Sequence, residues 1–327
     1  MKLAVPVLAY RNVSPVSGVS PNEFSIQLGA LAHAGWRSVS VSELVDALKN
    51  GAPLRENPYL VTFDDAYLDN WVYAMPVLRR HGIRAAFGCV TAYLHDAPPR
   101  PTAGEGAPAL HDLPTARDAW DLALEDDDYT AFMSRAELRA LVRDEGHELL
   151  GHTHTRQLCF TSNRPQPLDA TRSSDAFGAG LHGIFLETGD GSAGLPSGSA
   201  YACNGFWPSG EDPLTATLLE RTTAERIDFC TQEFALCRQR LEDLAGTPSR
   251  AMVWPCGQYD DVSIQAASLA GYEAAFSADP GANDAKTPIF ALRRMTVESG
   301  TSSAELLRRM TRAVQAVQHP FLKRFFR

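Results

Sequence analysis

No apolar run in this chain approaches the roughly 20 residues that a membrane-crossing helix needs. Positive charge is also short: 30 Lys and Arg face 39 Asp and Glu, a formal net charge of −9. A dedicated nucleic-acid binder presents a basic surface, so this balance argues against one. Close cysteine pairs are absent. Cys89, Cys159, Cys203, Cys230, Cys237 and Cys256 are scattered with no Cys-x-x-Cys, which fits a reduced, cytoplasmic protein without structural disulfides. The apolar start Met1–Tyr10 reaches Arg11 without a small-residue cleavage site, and it reads as a first strand rather than a signal peptide. Neither an internal repeat nor a domain-sized linker interrupts the 327 residues. They are read as a single domain, 1–327.

What is present is an alternation of helix and strand signals. Ser20-Pro21-Asn22-Glu23 places a capping serine before a proline at the first helical position. Ser40…Glu43, Ser134…Glu137, Thr222…Glu225 and Ser302…Glu305 repeat the Ser/Thr-x-x-Glu spacing, in which each side chain satisfies an orphan backbone donor. Apolar, β-rich stretches lie between them, at about 3–9, 37–41, 59–63, 84–90, 148–152, 250–254, 273–277 and 289–297. Such alternation predicts a parallel sheet with helical crossovers, here an α/β fold with seven or eight parallel strands in a distorted (β/α) barrel. In the helix expected at 222–244, Ile227, Cys230, Phe234, Cys237, Leu241 and Leu244 form one stripe, and Gly246 stops it. Cys230 and Cys237 are therefore core residues. Two irregular stretches, about 95–130 and 155–215, read as long loop insertions over the C-terminal face of the strands.

Chemistry-bearing residues collect at strand ends. Leu60–Phe63 stops at Asp64 and Asp65. Side chains alternate along a strand, so one acid can bind a metal while the other faces a water; both can equally be turn or cap residues. The strand expected at 148–152 delivers His152 to the same end, and His154, two residues on, faces the same side in extended backbone, a chelating arrangement. His147, before that strand, reads as a turn residue. In Met252-Val253-Trp254-Pro255-Cys256-Gly257-Gln258-Tyr259-Asp260, Trp254 and Tyr259 can form a stacking wall for a sugar, although Pro-x-Gly is also generic turn chemistry. Arg294, on the late strand, either points into the barrel mouth to pair with Asp64 or lies on the surface.

Thr62-Phe63-Asp64-Asp65-Ala66 resembles the Thr-Phe-Asp-Asp-Gly motif of the polysaccharide deacetylases of the NodB-homology fold, carbohydrate esterase family 4. Gly146-His147-Glu148 running into His152-Thr153 resembles the family's histidine motif. Trp254-Pro255-Cys256-Gly257 and the opening Ala9-Tyr10-Arg11-Asn12-Val13 resemble the poly-N-acetylglucosamine deacetylase branch. The resemblance implies removal of an N-acetyl group from an amino sugar of a polysaccharide or its precursor. It also implies a divalent metal, zinc with cobalt or nickel as alternatives. By the same resemblance Asp64 is the general base, Asp65 and His152 are metal ligands, and Arg294 supports the site. The chain departs from the pattern at three places. Ala66 replaces a glycine and Arg11 a histidine. Arg156 and Gln157 stand four and five residues after His152, where the family places its second metal histidine. His154 is the expected third ligand, with His111 and His182 as alternatives.

Two other readings remain beside metal-dependent deacetylation. One is a catalytically degraded barrel that binds saccharide without metal, for which Arg156 and Gln157 speak. The other is a deformylase or amidohydrolase acting on a lipid- or nucleotide-linked amino sugar. The tail 318–327 interleaves aromatic and basic residues. It fits either a contact with the inner membrane surface or docking of Phe321 and Phe325 on the barrel.

Overall fold

A computed structural model of the chain describes residues 3–104, 113–164, 166–167, 193–209 and 217–319. The expected helices start at their caps. They are α1 (Pro21–His33), α2 (Val41–Asn50), α3 (Met75–His81), α4 (Ala116–Glu125), α5 (Arg135–Arg143), α6 (Thr223–Ala245), α7 (Asp261–Leu269) and α8 (Ser303–Gln318). Ser20, Ser40, Ser134 and Thr222 each form a reciprocal capping box with the glutamate three residues on. On α6, Cys230, Phe234, Cys237, Leu241 and Leu244 are buried as the stripe requires, and Gly246 ends the helix in left-handed backbone at φ 74°.

The strands are β1 (Val5–Tyr10), β2 (Arg37–Ser38), β3 (Pro58–Phe63), β4 (Ala85–Cys89) and β5 (Glu148–Gly151), then β6 (Leu158–Phe160), β7 (Ser197–Ser199), β8 (Phe206–Ser209) and β9 (Thr217–Glu220). They continue with β10 (Ala251–Val253), β11 (Ala274–Phe276), β12 (Ala282–Asn283) and β13 (Met295–Thr296). The main sheet runs β11-β10-β5-β4-β3-β1-β12, with β13 also on β1 and β2 on β3. Every pairing in it is parallel except that of β12 with β1. The sheet curls into a distorted (β/α) barrel. Alternation along the strands separates two cores. Val5, Val7 and Leu60 pack with Ala86, Leu150, Val253 and Phe276 inside the curl. Leu8, Tyr10, Val61 and Phe63 pack outward against Phe24, Leu28 and Leu31 of α1.

The strand expected over 289–297 is regular only at β13, because this segment crosses the gap between the two sheet edges. Leu292 bridges Phe276 of β11, and three residues later Met295 pairs with Leu8 of β1. A chain that changes partner within three residues cannot keep a ladder. The insertions also hold regular structure. The first contains α4, whose Thr115 and Asp118 form a further capping box. The second contains β6–β8, which with β9 just beyond it form an antiparallel sheet in the order β9-β8-β6-β7. Among the described residues, no helix is long and apolar enough to cross a membrane. His111, His182 and residues 320–327 lie outside the described residues.

Candidate active site

The C-terminal ends of β1, β3, β5 and β10 open on a cavity of about 470 Å³ lined by Arg11, Asp64, Asp65, His152, Arg156 and Arg294, among others. Asp64 continues the inward register of Leu60 and Thr62. The next residue ought to point outward, yet Asp65 lines the same cavity. Its φ of 67°, followed by 52° at Ala66, breaks the strand alternation. Left-handed backbone costs a residue with a Cβ about 1–2 kcal/mol. Of seven non-glycine residues in this region among the described residues, five (Asp65, Ala66, Thr153, Arg156 and Cys256) lie in the loops bearing the site. Strain held in this way gathers where side chains must be aimed.

Arg294 grips Asp64 with both arms: Nη1 donates to Oδ1 at 2.6 Å and Nη2 to Oδ2 at 3.0 Å. Its own Nε donates to the Ser277 carbonyl at 3.0 Å, and the side chain is 4% exposed against 22% for Asp64. The Asp64 carboxylate is thereby fixed in orientation while still reachable from solvent.

Asp65 is buried among three cationic or imidazole groups. Arg156 Nε lies 3.1 Å and His152 Nε2 3.3 Å from its Oδ1, and Arg11 Nε lies 3.4 Å from its Oδ2. Burial alone would push this carboxyl up, but the charges around it, that of Arg156 foremost, outweigh it and hold the group well below the usual carboxylate range. Arg156 is equally enclosed. Burial opposes its charge, and its neighbours together, Asp65 foremost, more than restore it. Its guanidinium carbon sits 4.7 Å from the centre of the Trp120 ring, a cation–π contact. The Trp120 indole in turn donates to the Tyr67 hydroxyl, which also accepts from Arg11.

His152 lies 3.1 Å through Nδ1 from the Val253 carbonyl. A carbonyl only accepts, so Nδ1 carries the proton and the Nε2 lone pair faces the cavity. That is the tautomer a metal-ligating histidine adopts. The lone pair instead accepts from Arg156 Nε at 3.3 Å. Asp65 Oδ1 and His152 Nε2, 3.3 Å apart, have the spacing of two ligands on one ion, about 3 to 3.4 Å for bonds near 2.1 Å. The third neighbour is a cation, and among the described residues no group of three His, Cys, Asp or Glu converges to hold a metal. The described residues do not fit the divalent ion that the resemblance implies.

Of the other expected site residues, Trp254 shares the cavity lining, and His154 and Tyr259 do not. His154 turns away because Thr153 takes φ 66°, which ends the extended backbone that would have aligned it with His152. Its Nδ1 lies 3.0 Å from Thr91 Oγ1. Burial lowers its pKa, and its charged neighbours are Glu233 and Arg240. Trp254 belongs to the cavity lining, but the residue is fully buried and its indole donates to the Phe290 carbonyl at 2.8 Å. Tyr259 stacks on it at 5.8 Å and is absent from the cavity lining. His147 accepts the Ala85 N–H at 2.9 Å, tying the start of β4 to β5.

Sequence reasoning treated Arg11 and Arg156 as departures from a pattern, not as members of the site. Arg156 carries no periodic signal because it lies in an irregular loop. Its position four residues after His152 was the available clue. Trp120 sits in a stretch expected to be loop, although Thr115-Ala-Arg-Asp118 is a readable cap.

Residues 51–179 match the model of the polysaccharide deacetylase family, and this segment carries Asp64, Asp65, His152 and Arg156. The central part of the chain is thereby identified with that family. Over 83 residues the chain is 31% identical to YxkH of Bacillus subtilis (strain 168), described as a "Putative polysaccharide deacetylase"; the match covers 25% of this chain and 30% of that relative. The fold is shared with a de-N-acetylase from Aggregatibacter actinomycetemcomitans, at a TM-score of 0.62 and 19% identity, over 94% of this chain and 100% of that one. The BpsB deacetylase domain of Bordetella bronchiseptica gives 0.61 and 19% over 91% and 97%. The deacetylase PplD of Streptococcus pyogenes, in complex with acetate, gives 0.60 and 16% over 95% and 99%.

Proposed function

We propose that this chain is a carbohydrate N-deacetylase that hydrolyses the N-acetyl amide of an amino sugar in a polysaccharide or its saccharide precursor. The observation that carries this reading is the Asp64 carboxylate, oriented by the two-armed Arg294 at the mouth of a cavity in a deacetylase fold. An amide carbonyl resists water, so the site must activate a nucleophile and receive an oxyanion. Asp64 takes the proton of a water as its oxygen attacks the amide carbon. Negative charge then grows on the carbonyl oxygen, and Arg11, whose side chain is 46% exposed beside Asp65, is placed to meet it. Collapse breaks the C–N bond, the proton passes from Asp64 to the leaving amine, and acetate and the free amino sugar depart.

The family's divalent ion finds no matching donor set among the described residues, and no step is routed through one. A cytoplasmic setting rests on the scattered cysteines alone, and a membrane-proximal one on the composition of 318–327. A second reading, saccharide binding without hydrolysis, draws support from Arg156 bonding to both Asp65 and His152.

The test is acetate release from an N-acetylglucosamine oligomer and formate release from an N-formylated counterpart, with saccharide binding measured alongside. Wild type should release acetate, and Asp64→Asn should lower the rate at least ~100-fold, the usual worth of a general base, while binding persists. Binding without release in the wild type would decide for the second reading, and formate in place of acetate, from an N-formylated substrate, for a deformylase.

A further inference from the structure

We infer that Arg156 is a resident cation, seated where Asp65 and His152 would otherwise share a metal, and that the native protein binds no divalent ion there. The argument is geometric and independent of the proposed reaction. Two donor atoms, Asp65 Oδ1 and His152 Nε2, converge at ligand-like spacing with the correct imidazole tautomer, and Arg156 Nε sits against both, donating to His152 Nε2 at 3.3 Å and ion-paired with Asp65 Oδ1 at 3.1 Å. A metal at this vertex and the guanidinium exclude each other, because both need the same two lone pairs and both carry positive charge.

The seat is built rather than incidental. Trp120 stacks on the guanidinium, and the Arg156 backbone N–H donates to Thr153 Oγ1 at 2.8 Å, holding the loop at φ 53°. The whole residue is 8% exposed. Surface arginines do not acquire an aromatic floor, two acceptors and a strained backbone together. The consequence is a site with fixed positive charge that neither chelators nor metal supply can alter. Replacing this one side chain by histidine would leave Asp65, His152 and an imidazole around the same point.

Metal content is the readout, taken without substrate so that it stands or falls apart from the deacetylase reading. Wild-type protein equilibrated with Zn²⁺, Co²⁺ or Ni²⁺ and desalted should retain less than ~0.1 equivalent. What little remains should be unchanged by His152→Ala. Arg156→His should retain about one equivalent, and the double variant Arg156→His/His152→Ala should lose it. One tightly held equivalent in the wild type, abolished by His152→Ala, would overturn the inference. That wild-type measurement decides it even should Arg156→His fold poorly.

Discussion

At the scale of single residues, the site is governed by how one buried carboxylate is compensated. Asp65 is 2% exposed and its carboxylate meets Arg156, His152 and Arg11. Taking charges out of water is expensive, and removing one partner leaves the other uncompensated, at a cost of about 3–5 kcal/mol. Arg156→Met, which keeps an unbranched apolar side chain but removes the charge, should therefore lower unfolding free energy by about that amount. Adding Asp65→Asn to it should recover a large part of the loss, because the stranded charge goes with it. Urea titration of the four proteins of the cycle measures this coupling. Equal losses in Arg156→Met and the double variant would show that packing on Trp120, not charge, holds the arginine. Much of this cluster was legible beforehand. Asp64, Asp65 and His152 stand at strand ends, and strand ends converge in a parallel barrel. Arg156 was not, since its place depends on two left-handed residues, Thr153 and Arg156, that no composition rule requires.

Elements aim these side chains through close contacts between their backbones. β5 delivers His152, and its last residue, Gly151, runs against the ring of Tyr272, which follows α7. A Cβ on Gly151 would lie 2.1 Å from the Tyr272 hydroxyl oxygen and 2.8 Å from Cζ. Tyr272 is buried, so it has little room to retreat. Gly151→Ala should destabilise the protein by about 1–3 kcal/mol, the usual cost of overpacking, and displace His152. Tyr272→Phe removes the nearest atom and should return part of that loss. Thermal unfolding of the single and double variants tests this, and additive losses would refute the contact. Helix positions were the most readable feature of the sequence because caps are local: four serines or threonines bond the glutamate three residues away whatever the rest does. The final strand was the least readable. Apolar alternation over 289–297 is real, but it serves two different neighbours, Phe276 and β1, and the ladder survives only at Met295–Thr296.

For the whole molecule, two buried groups away from the cavity set opposing pH dependences. Burial pushes the Asp69 carboxyl up to about 7, against the pull of hydrogen bonds such as that from Asn12 at 2.8 Å. A raised folded pKa contributes stability that is full below the unfolded value and is lost as pH rises through the folded one. Burial pushes the His147 imidazole down to about 4, where it accepts from the Ala85 N–H. A lowered imidazole pKa acts the other way: the unfolded chain binds the extra proton, so stability grows as pH climbs from about 4 towards the ordinary histidine value. Between about pH 5 and pH 6.5 one site gains what the other loses, and the wild type should show little net slope from this pair. Asp69→Asn keeps the shape and an acceptor for Asn12 while removing the titration. Its unfolding free energy relative to wild type should therefore increase by about 2 kcal/mol over that interval, at 1.36 kcal/mol for each tenfold change in proton activity. Urea titrations of both proteins at the two pH values measure the difference. A difference that does not change with pH would mean that Asp69 is already ionised in the folded protein, and the balance between these two groups would not exist.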